Sequence, residues 1–241
     1  MTRTLEIKDL IKIYDGKKVV NGVNLEVTGG QVVGLLGPNG AGKTTTFYMA
    51  VGMIRPDGGS VLLDSKDITR LPMHQRARKG LGYLPQEPSV FKKLSVRDNL
   101  MVILETLPLS GEQQNEKADS LLAELGIKRL SGQKAGFLSG GERRRLEISR
   151  ALATDPAFIL LDEPFAGIDP LAVTDIQNII SHLTKRGIGI LISDHNVRET
   201  LGACDNAYIL NNGEVLESGS PEEIAQSPAA REIYLGEKFT L

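Results

Sequence analysis

The fold of this chain is decided by Gly37-Pro38-Asn39-Gly40-Ala41-Gly42-Lys43-Thr44. The spacing is that of a phosphate-binding loop, in which consecutive backbone N–H groups and the N-terminus of the next helix surround phosphate groups. The apolar run Val32 to Leu36 before it predicts a buried strand, and the segment from Lys43 to about Ala50 has no helix breaker. Strand, glycine-rich loop and helix therefore follow one another as such a loop requires.

This loop predicts a site for the β- and γ-phosphates of ATP. The ammonium group of Lys43 would neutralise phosphate charge, and the hydroxyl of Thr44 would hold Mg²⁺. An ordinary glycine turn is the alternative, and the flanking strand and helix argue against it. The expected ATP-binding residues in this segment are Gly37, Pro38, Asn39, Gly40, Ala41, Gly42, Lys43, Thr44 and Thr45.

A second candidate lies where the apolar run Phe158 to Leu161 ends in Asp162 and Glu163. Ligands of α/β proteins bind at the carboxyl ends of buried strands. Asp162 is suited to binding Mg²⁺, and Glu163 to polarising an attacking water. Two adjacent carboxylates at a strand end are, by themselves, more often simply solvated. A nearby phosphate loop makes a functional role the better interpretation.

A third candidate is Leu138-Ser139-Gly140-Gly141-Glu142, a second glycine-rich helix start. Its serine hydroxyl and free backbone N–H groups could bind an anion. A plain helix cap explains the same residues equally well. The sequence leaves both interpretations open.

The rest of the chain alternates between strand and helix signals, which predicts a parallel sheet with both faces covered. The predicted elements are N-terminal strands at Leu5, Ile7 and Val23 to Val27, a helical region from about 95 to 126, helices from about 141 to 153 and from Asp169-Pro170, a strand at 188–193, a hairpin at Asn211-Asn212-Gly213, and two short polar helices in the tail.

Net charge and the length of the apolar runs limit the classes of protein to which this chain can belong. The formal charge of −2 disfavours a domain that binds mainly nucleic acid. The opening residues lack the apolar core of a signal peptide and no apolar run approaches the roughly 20 residues of a membrane helix, so we expect a cytoplasmic protein with no direct membrane insertion. Cys204, the one cysteine, is expected in the core. The run Arg143-Arg144-Arg145 is expected on a solvated face.

The phosphate loop, residues 138–142 and Leu160-Leu161-Asp162-Glu163-Pro164, in this order and spacing, resemble the nucleotide-binding subunits of ABC transporters. The resemblance covers nearly the whole chain. It implies an α/β fold: a P-loop NTPase core with a parallel sheet, an N-terminal antiparallel β subdomain and an inserted helical lobe. We expect one domain over 1–241, with the lobe at about 88–155 and a short tail at about 214–241.

The same resemblance implies a homodimer that encloses two ATP molecules. Each nucleotide would be bound by the phosphate loop of one subunit and by Ser139, Gly140, Gly141 and Glu142 of the other. Other positions match functional positions of the family one by one. By this resemblance Tyr14 would stack on adenine and Gln86 would sense Mg²⁺ and water. Asp169 would lie between the subunits, and His195 would contact the γ-phosphate. Glu163, His195 and Gln86 are thus the expected catalytic residues, and Thr44, Gln86 and Asp162 the expected Mg²⁺ ligands.

Each of these side chains has a simpler interpretation. Tyr14 could be a strand core residue, Gln86 part of a surface turn, and His195 a polar residue at a strand end. Their joint occurrence argues against coincidence.

Within the family, the stretches 83–91, 140–145, 163–170 and 194–201 resemble the ATPases that drive bacterial lipopolysaccharide export, and 234–239 also fits. ATPases of branched-chain amino-acid importers share much of the region around Gln86 and are the alternative. The export resemblance implies two such ATPases bound to two integral inner-membrane permease subunits, at the cytoplasmic face of that membrane. Phe91 is the candidate for docking a permease helix, unless it packs inside the helical lobe.

Overall fold

The protein is described by a computed structural model that covers residues 3–167 and 170–241. Asp169, the expected intersubunit residue, lies outside the described residues. The strands are β1 (Thr4–Tyr14), β2 (Lys17–Thr28), β3 (Val32–Leu36), β4 (Gly58–Leu63), β5 (Lys66–Asp67), β6 (Leu81–Leu84), β7 (Phe158–Asp162), β8 (Gly189–Ser193), β9 (Asn206–Asn211) and β10 (Glu214–Gly219). The α-helices are α1 (Lys43–Val51), α2 (Met73–Arg78), α3 (Val96–Leu104), α4 (Gly111–Glu124), α5 (Gly140–Leu152), α6 (Pro170–Lys185), α7 (Val197–Leu201), α8 (Pro221–Gln226) and α9 (Pro228–Ala230).

The strands form two sheets. One has four antiparallel strands in the order β2-β1-β4-β5. The other has six, in the order β10-β9-β3-β8-β7-β6, and is parallel except for the β9–β10 hairpin. The expected fold class, a parallel α/β core with an N-terminal antiparallel sheet, is confirmed.

Strands β3, β7 and β8 are buried along their whole length. Parallel strands covered on both faces need apolar side chains on both, which explains the continuous apolar runs in the sequence. One core lies between the two sheets and around α1, and another lies where α3, α4, α5 and α6 cover the parallel sheet. The predicted lobe at about 88–155 contains α3, α4 and α5; its independence as a unit stays a prediction.

Most predicted elements match the structure within two residues, including the turn at Asn212 and Gly213, both of which have positive φ. The segment from β4 to β6 was not predicted. Its strands are short, and β5 has only two residues, both exposed.

Cys204 packs against the core, and burial raises the pKa of its thiol. No helix among the described residues has the length and apolarity to cross a membrane.

The expectation that the arginine run is solvated is wrong for Arg144. Its side chain is 13% exposed and forms an ion pair with Glu147, which is 4% exposed. Arg145 is 29% exposed and pairs with Asp175 at 2.8 Å. A run of like charges on a helix spreads over several faces at 100° per residue, so its members need not share one environment, and here Arg144 faces inward.

Arg76 is the largest fully buried side chain of the described residues, at 1% exposure. Its guanidinium donates to the carbonyl oxygens of Met49 (2.8 Å), Ala50 (2.6 Å), Thr69 (2.8 Å) and Leu71 (2.9 Å). Two of these carbonyls lie in the last turn of α1, where a cation also complements the helix dipole. Burial lowers the pKa of Arg76 to about 10, so it stays charged at neutral pH.

The phosphate loop passes directly over β9. Gly37 has φ +142°, and a Cβ there would lie 2.1 Å from the carbonyl oxygen of Leu210. No side chain fits this approach, because backbone cannot move aside as a flexible side chain can. The start of the loop is therefore fixed by the neighbouring strand as well as by its own sequence.

We expect Arg76→Met to lower the free energy of unfolding by roughly 2–4 kcal/mol, because buried carbonyl oxygens would lose their donors. Urea denaturation measures the change. The control Arg78→Met, on the exposed side of the same helix, should stay within about 0.5 kcal/mol of the parent. Equal effects of the two substitutions would contradict a stabilising role for the hydrogen bonds of the Arg76 guanidinium.

We expect Gly37→Ala to cost about 2 kcal/mol or more, since the new methyl group overlaps backbone at a left-handed φ. Gly16, in the β1–β2 turn, has φ +78° and nothing within 4 Å of a built Cβ. Gly16→Ala should therefore cost only about 1 kcal/mol. Thermal unfolding of both variants separates the overlap from the backbone strain.

Candidate functional site

Three loops meet at the carboxyl edge of the parallel sheet: the phosphate loop after β3, the Asp162–Glu163 end of β7, and the segment after β8. They surround a pocket of about 270 Å³. It is lined by Val19, Asn39, Gly40, Ala41, Gly42, Lys43, Thr44, Thr45, Glu163, Ser193 and His195. The structure thus brings most of the predicted loop residues together with Glu163 and His195.

The ammonium group of Lys43 lies on the phosphate loop itself. It donates to the carbonyl oxygens of Gly37 at 2.6 Å and Pro38 at 3.0 Å. Burial lowers the pKa of Lys43, and the negative charge of Glu163 partly opposes that shift. A cation at the base of a loop of glycines and free N–H groups makes this pocket suited to phosphate.

Two predicted site residues contact the same carboxylate oxygen of Glu163. Gln86 Nε2 donates to Glu163 Oε2 at 2.7 Å, and His195 Nδ1 lies 3.3 Å from the same oxygen. The side chain of Glu163 is 30% exposed, so water can reach it. A base held by a fixed amide and open to solvent can orient a water molecule for attack.

Asp162 lies beside this group but deeper, at 5% exposure. Tyr83 donates its hydroxyl hydrogen to Asp162 Oδ2 at 3.3 Å, and the hydroxyl of Tyr48 on α1 also interacts with this carboxylate. Burial raises the pKa of Asp162, and the two phenols oppose that shift. The role of neither tyrosine was predicted from the sequence, because it depends on how α1 and β6 pack on β7.

The expected Mg²⁺ ligands are a hydroxyl (Thr44), a carboxylate (Asp162) and an amide (Gln86). These are the hard oxygen donors that Mg²⁺ prefers. A carboxylate as buried as that of Asp162 needs a positive partner or good donors, and its two phenols are neutral. The residues present therefore fit a divalent cation held with phosphate oxygens.

Asp194 is fully buried and orders the segment around His195. Its carboxylate accepts from the backbone N–H of Phe165 and of Asn196, both at 2.8 Å, and Asn196 Nδ2 donates to the carbonyl oxygen of Phe165 at 3.0 Å. Burial raises the pKa of Asp194, and these N–H donors oppose that shift. The loops after β7 and β8 are thereby joined around the catalytic candidates.

Several predicted residues lie away from this pocket. Tyr14, at the end of β1, is 43% exposed and lies beneath the ammonium of Lys12 at 5.2 Å. Ser139 caps α5 in a reciprocal capping box with Glu142. Phe91 is 46% exposed, with the Arg150 guanidinium 4.9 Å above its ring, so it is not packed inside the helical region.

Comparison with known proteins identifies the family of this chain. Residues 20–166 match the ABC transporter family. The chain is 58% identical over 241 residues to the lipopolysaccharide export system ATP-binding protein LptB of Acidithiobacillus ferridurans, with 100% of both chains covered, and 55% identical over 239 residues to LptB of Escherichia coli K12, with 99% of both covered.

Solved structures show the same architecture. The ADP conformation of an ATP-binding cassette of an ABC transporter superimposes with a TM-score of 0.87 at 30% identity, over 98% of this chain and 99% of that one. A nucleotide-free cassette gives 0.87 at 31% identity, over 98% and 100%. With its phosphate loop, buried carboxylates and matching fold, this chain belongs to the ABC transporter family as one of its ATP-binding cassettes.

Proposed function

We propose that this ABC transporter ATPase hydrolyses ATP to drive the extraction of lipopolysaccharide from the inner membrane toward the outer membrane. The observation that carries ATP hydrolysis is the Glu163 carboxylate, held by Gln86 and facing His195 at the phosphate-loop pocket. The assignment of lipopolysaccharide as the transported substrate rests on the full-length similarity to lipopolysaccharide export proteins.

The hydrolysis mechanism follows from the geometry of three side chains. Glu163 orients a water molecule for in-line attack on the γ-phosphate. Lys43 and His195 stabilise the negative charge that develops during transfer. Gln86 fixes the orientation of the Glu163 carboxylate through its 2.7 Å hydrogen bond.

Mg²⁺ bound with ATP would neutralise phosphate charge, and Thr44, Asp162 and Gln86 are the residues that would hold it. Tyr83 and Tyr48 keep the Asp162 carboxylate in one orientation for that purpose. Tyr14 provides an exposed aromatic face for adenine stacking.

The active form is proposed to be a homodimer. Ser139, Gly140, Gly141 and Glu142 start α5 but do not line the pocket of their own chain. Nothing lies within 4 Å of a Cβ built at either glycine, which leaves room for a ligand carried by a second copy to approach the N-terminus of α5. Asp169 is proposed to contact the second subunit as well.

The proposed partners are two integral permease subunits, with the ATPase held at the cytoplasmic face of the inner membrane. Phe91 is proposed to receive a permease helix. Its half-exposed ring, beside Lys92, Lys93 and Arg150, has the apolar centre and charged rim of a docking site. Branched-chain amino-acid import, the alternative, is not favoured, because the relatives that match over nearly their full length at 53–58% identity include the lipopolysaccharide export proteins of three different genera.

We expect Glu163→Gln to bind ATP normally but to lower turnover by roughly two orders of magnitude or more, trapping a closed dimer. Single-turnover hydrolysis and gel filtration with ATP measure the two effects. Glu105→Gln, which changes an exposed carboxylate at the end of α3, is the control and should match the parent. Near-normal turnover of Glu163→Gln would remove this residue from catalysis.

We expect Phe91→Ala to leave the isolated subunit folded and hydrolysing ATP, but to prevent its co-purification with the permease subunits from detergent-solubilised membranes. The matched control is Met53→Ala, which removes another exposed apolar side chain, 47% exposed, at the end of α1. If Phe91→Ala unfolds, its ring belongs to the core; if it still co-purifies, docking lies elsewhere. Identification of the bound membrane proteins in the parent also tests export against import.

A further inference from the structure

The segment of residues 85–91, which begins the loop between β6 and α3, has no regular secondary structure but carries two proposed functional side chains. We call it the Gln86 loop. Gln86 at one end contacts Glu163, and Phe91 at the other end is half-exposed. A loop with no backbone ladder of its own needs other groups to hold it in one conformation.

Side chains of α5 supply those groups. The carbonyl oxygen of Pro85 accepts from Arg144 Nη1 at 3.1 Å, and the backbone N–H of Ser89 donates to Glu147 Oε1 at 2.9 Å. The carbonyl oxygen of Ser89 accepts from Arg150 Nη1. The residue just before Gln86 and the centre of the loop are therefore both bonded to one helix.

Asn99 of α3 completes the arrangement at the far end of the loop. It is fully buried, accepts from the backbone N–H of Phe91 at 2.8 Å, and donates to the carbonyl oxygen of the same residue at 3.1 Å. The Phe91 backbone is thus fixed although its ring is exposed.

Arg144 and Glu147 form the central element, an ion pair with an N–O distance of 3.2 Å and side chains 13% and 4% exposed. Charged side chains this deep are rare unless paired, and such pairs often add little stability over apolar residues of similar size. Burial lowers the pKa of Arg144, and the charge of Glu147 opposes that shift. One carboxylate oxygen of Glu147 accepts from Arg144 and the other accepts from the backbone N–H of Ser89, so the charged group bonds directly to the loop.

We propose that the Arg144–Glu147 pair clamps the Gln86 loop onto α5, and that Glu147 is a positioning residue that keeps the Gln86 amide at the Glu163 carboxylate. Because Ser139 caps the N-terminus of α5, the clamp makes the helix start, Gln86 and Phe91 parts of one rigid unit. The functional half of this inference rests on the proposed role of Gln86.

Amide hydrogen exchange of the full chain, followed by NMR, tests the clamp without using activity. In Glu147→Ala we expect exchange at Ser89 to become at least about tenfold faster, since the carboxylate that accepts from its N–H is lost, while β7 amides are unchanged. Arg144→Met/Glu147→Leu removes both charges and keeps apolar volume, so it should stay folded and show the same effect at Ser89. Asp175→Asn, which removes the charge that pairs Asp175 of α6 with Arg145 of α5, is the matched control.

The kinetic arm separates positioning from fold stability. In the folded double variant we expect kcat to fall roughly ten- to a hundredfold while nucleotide affinity, measured by calorimetry, stays within about twofold. Gln86→Ala is measured in parallel. Unchanged Ser89 exchange in the double variant overturns the clamp. Changed exchange with normal kcat, while Gln86→Ala loses turnover, overturns the positioning role of Glu147. Normal turnover of Gln86→Ala overturns instead the proposed role of Gln86, and the exchange result still decides the clamp.

Discussion

The register of three fully buried parallel strands is the constraint on which the site depends. In β8, Ser193 pairs with Leu35 of β3 on one side and with Asp162 of β7 on the other. The pairing continues past the strand end, where the N–H of Glu163 donates to the carbonyl oxygen of Ser193 at 2.7 Å. A shift of one residue in β7 would turn Asp162 to the opposite face of the sheet and displace Glu163.

This register concentrates negative charge at one edge. Asp162, Glu163 and Asp194 all follow buried strands, and burial raises the pKa of Asp162 and Asp194. Each carboxylate is stabilised differently: Asp162 by phenols, Asp194 by backbone N–H groups, and Glu163 by the Gln86 amide. Both carboxylate oxygens of Asp194 accept hydrogen bonds from backbone N–H groups, which suits a structural role. The other two retain capacity for a ligand.

The layout of this site could be predicted from the sequence because its signals are local. The apolar runs of β3 and β7, the glycine spacing of the phosphate loop and the carboxylates after β7 each lie within a few consecutive residues. The two tyrosines beside Asp162 could not be predicted, since they come from α1 and β6 and meet only through packing.

Buried arginines were missed for a related reason. Arg76 and Arg144 lie in stretches rich in basic residues, where composition indicates a solvated surface. Their partners are backbone carbonyls and one glutamate, and three of them, Met49, Ala50 and Pro85, belong to segments distant in sequence. Only a tertiary arrangement distinguishes such an arginine from its exposed neighbours, as the contrast between Arg76 and Arg78 illustrates.

Glu163 has a left-handed backbone, with φ +45°, in a loop where it is neither glycine nor asparagine. That conformation costs about 1–2 kcal/mol for an ordinary L-residue, and the hydrogen bond to Ser193 holds it in place. Glycine would relieve the strain and remove the carboxylate. Selection for thermal stability alone would therefore favour losing this side chain, and only selection for turnover retains it.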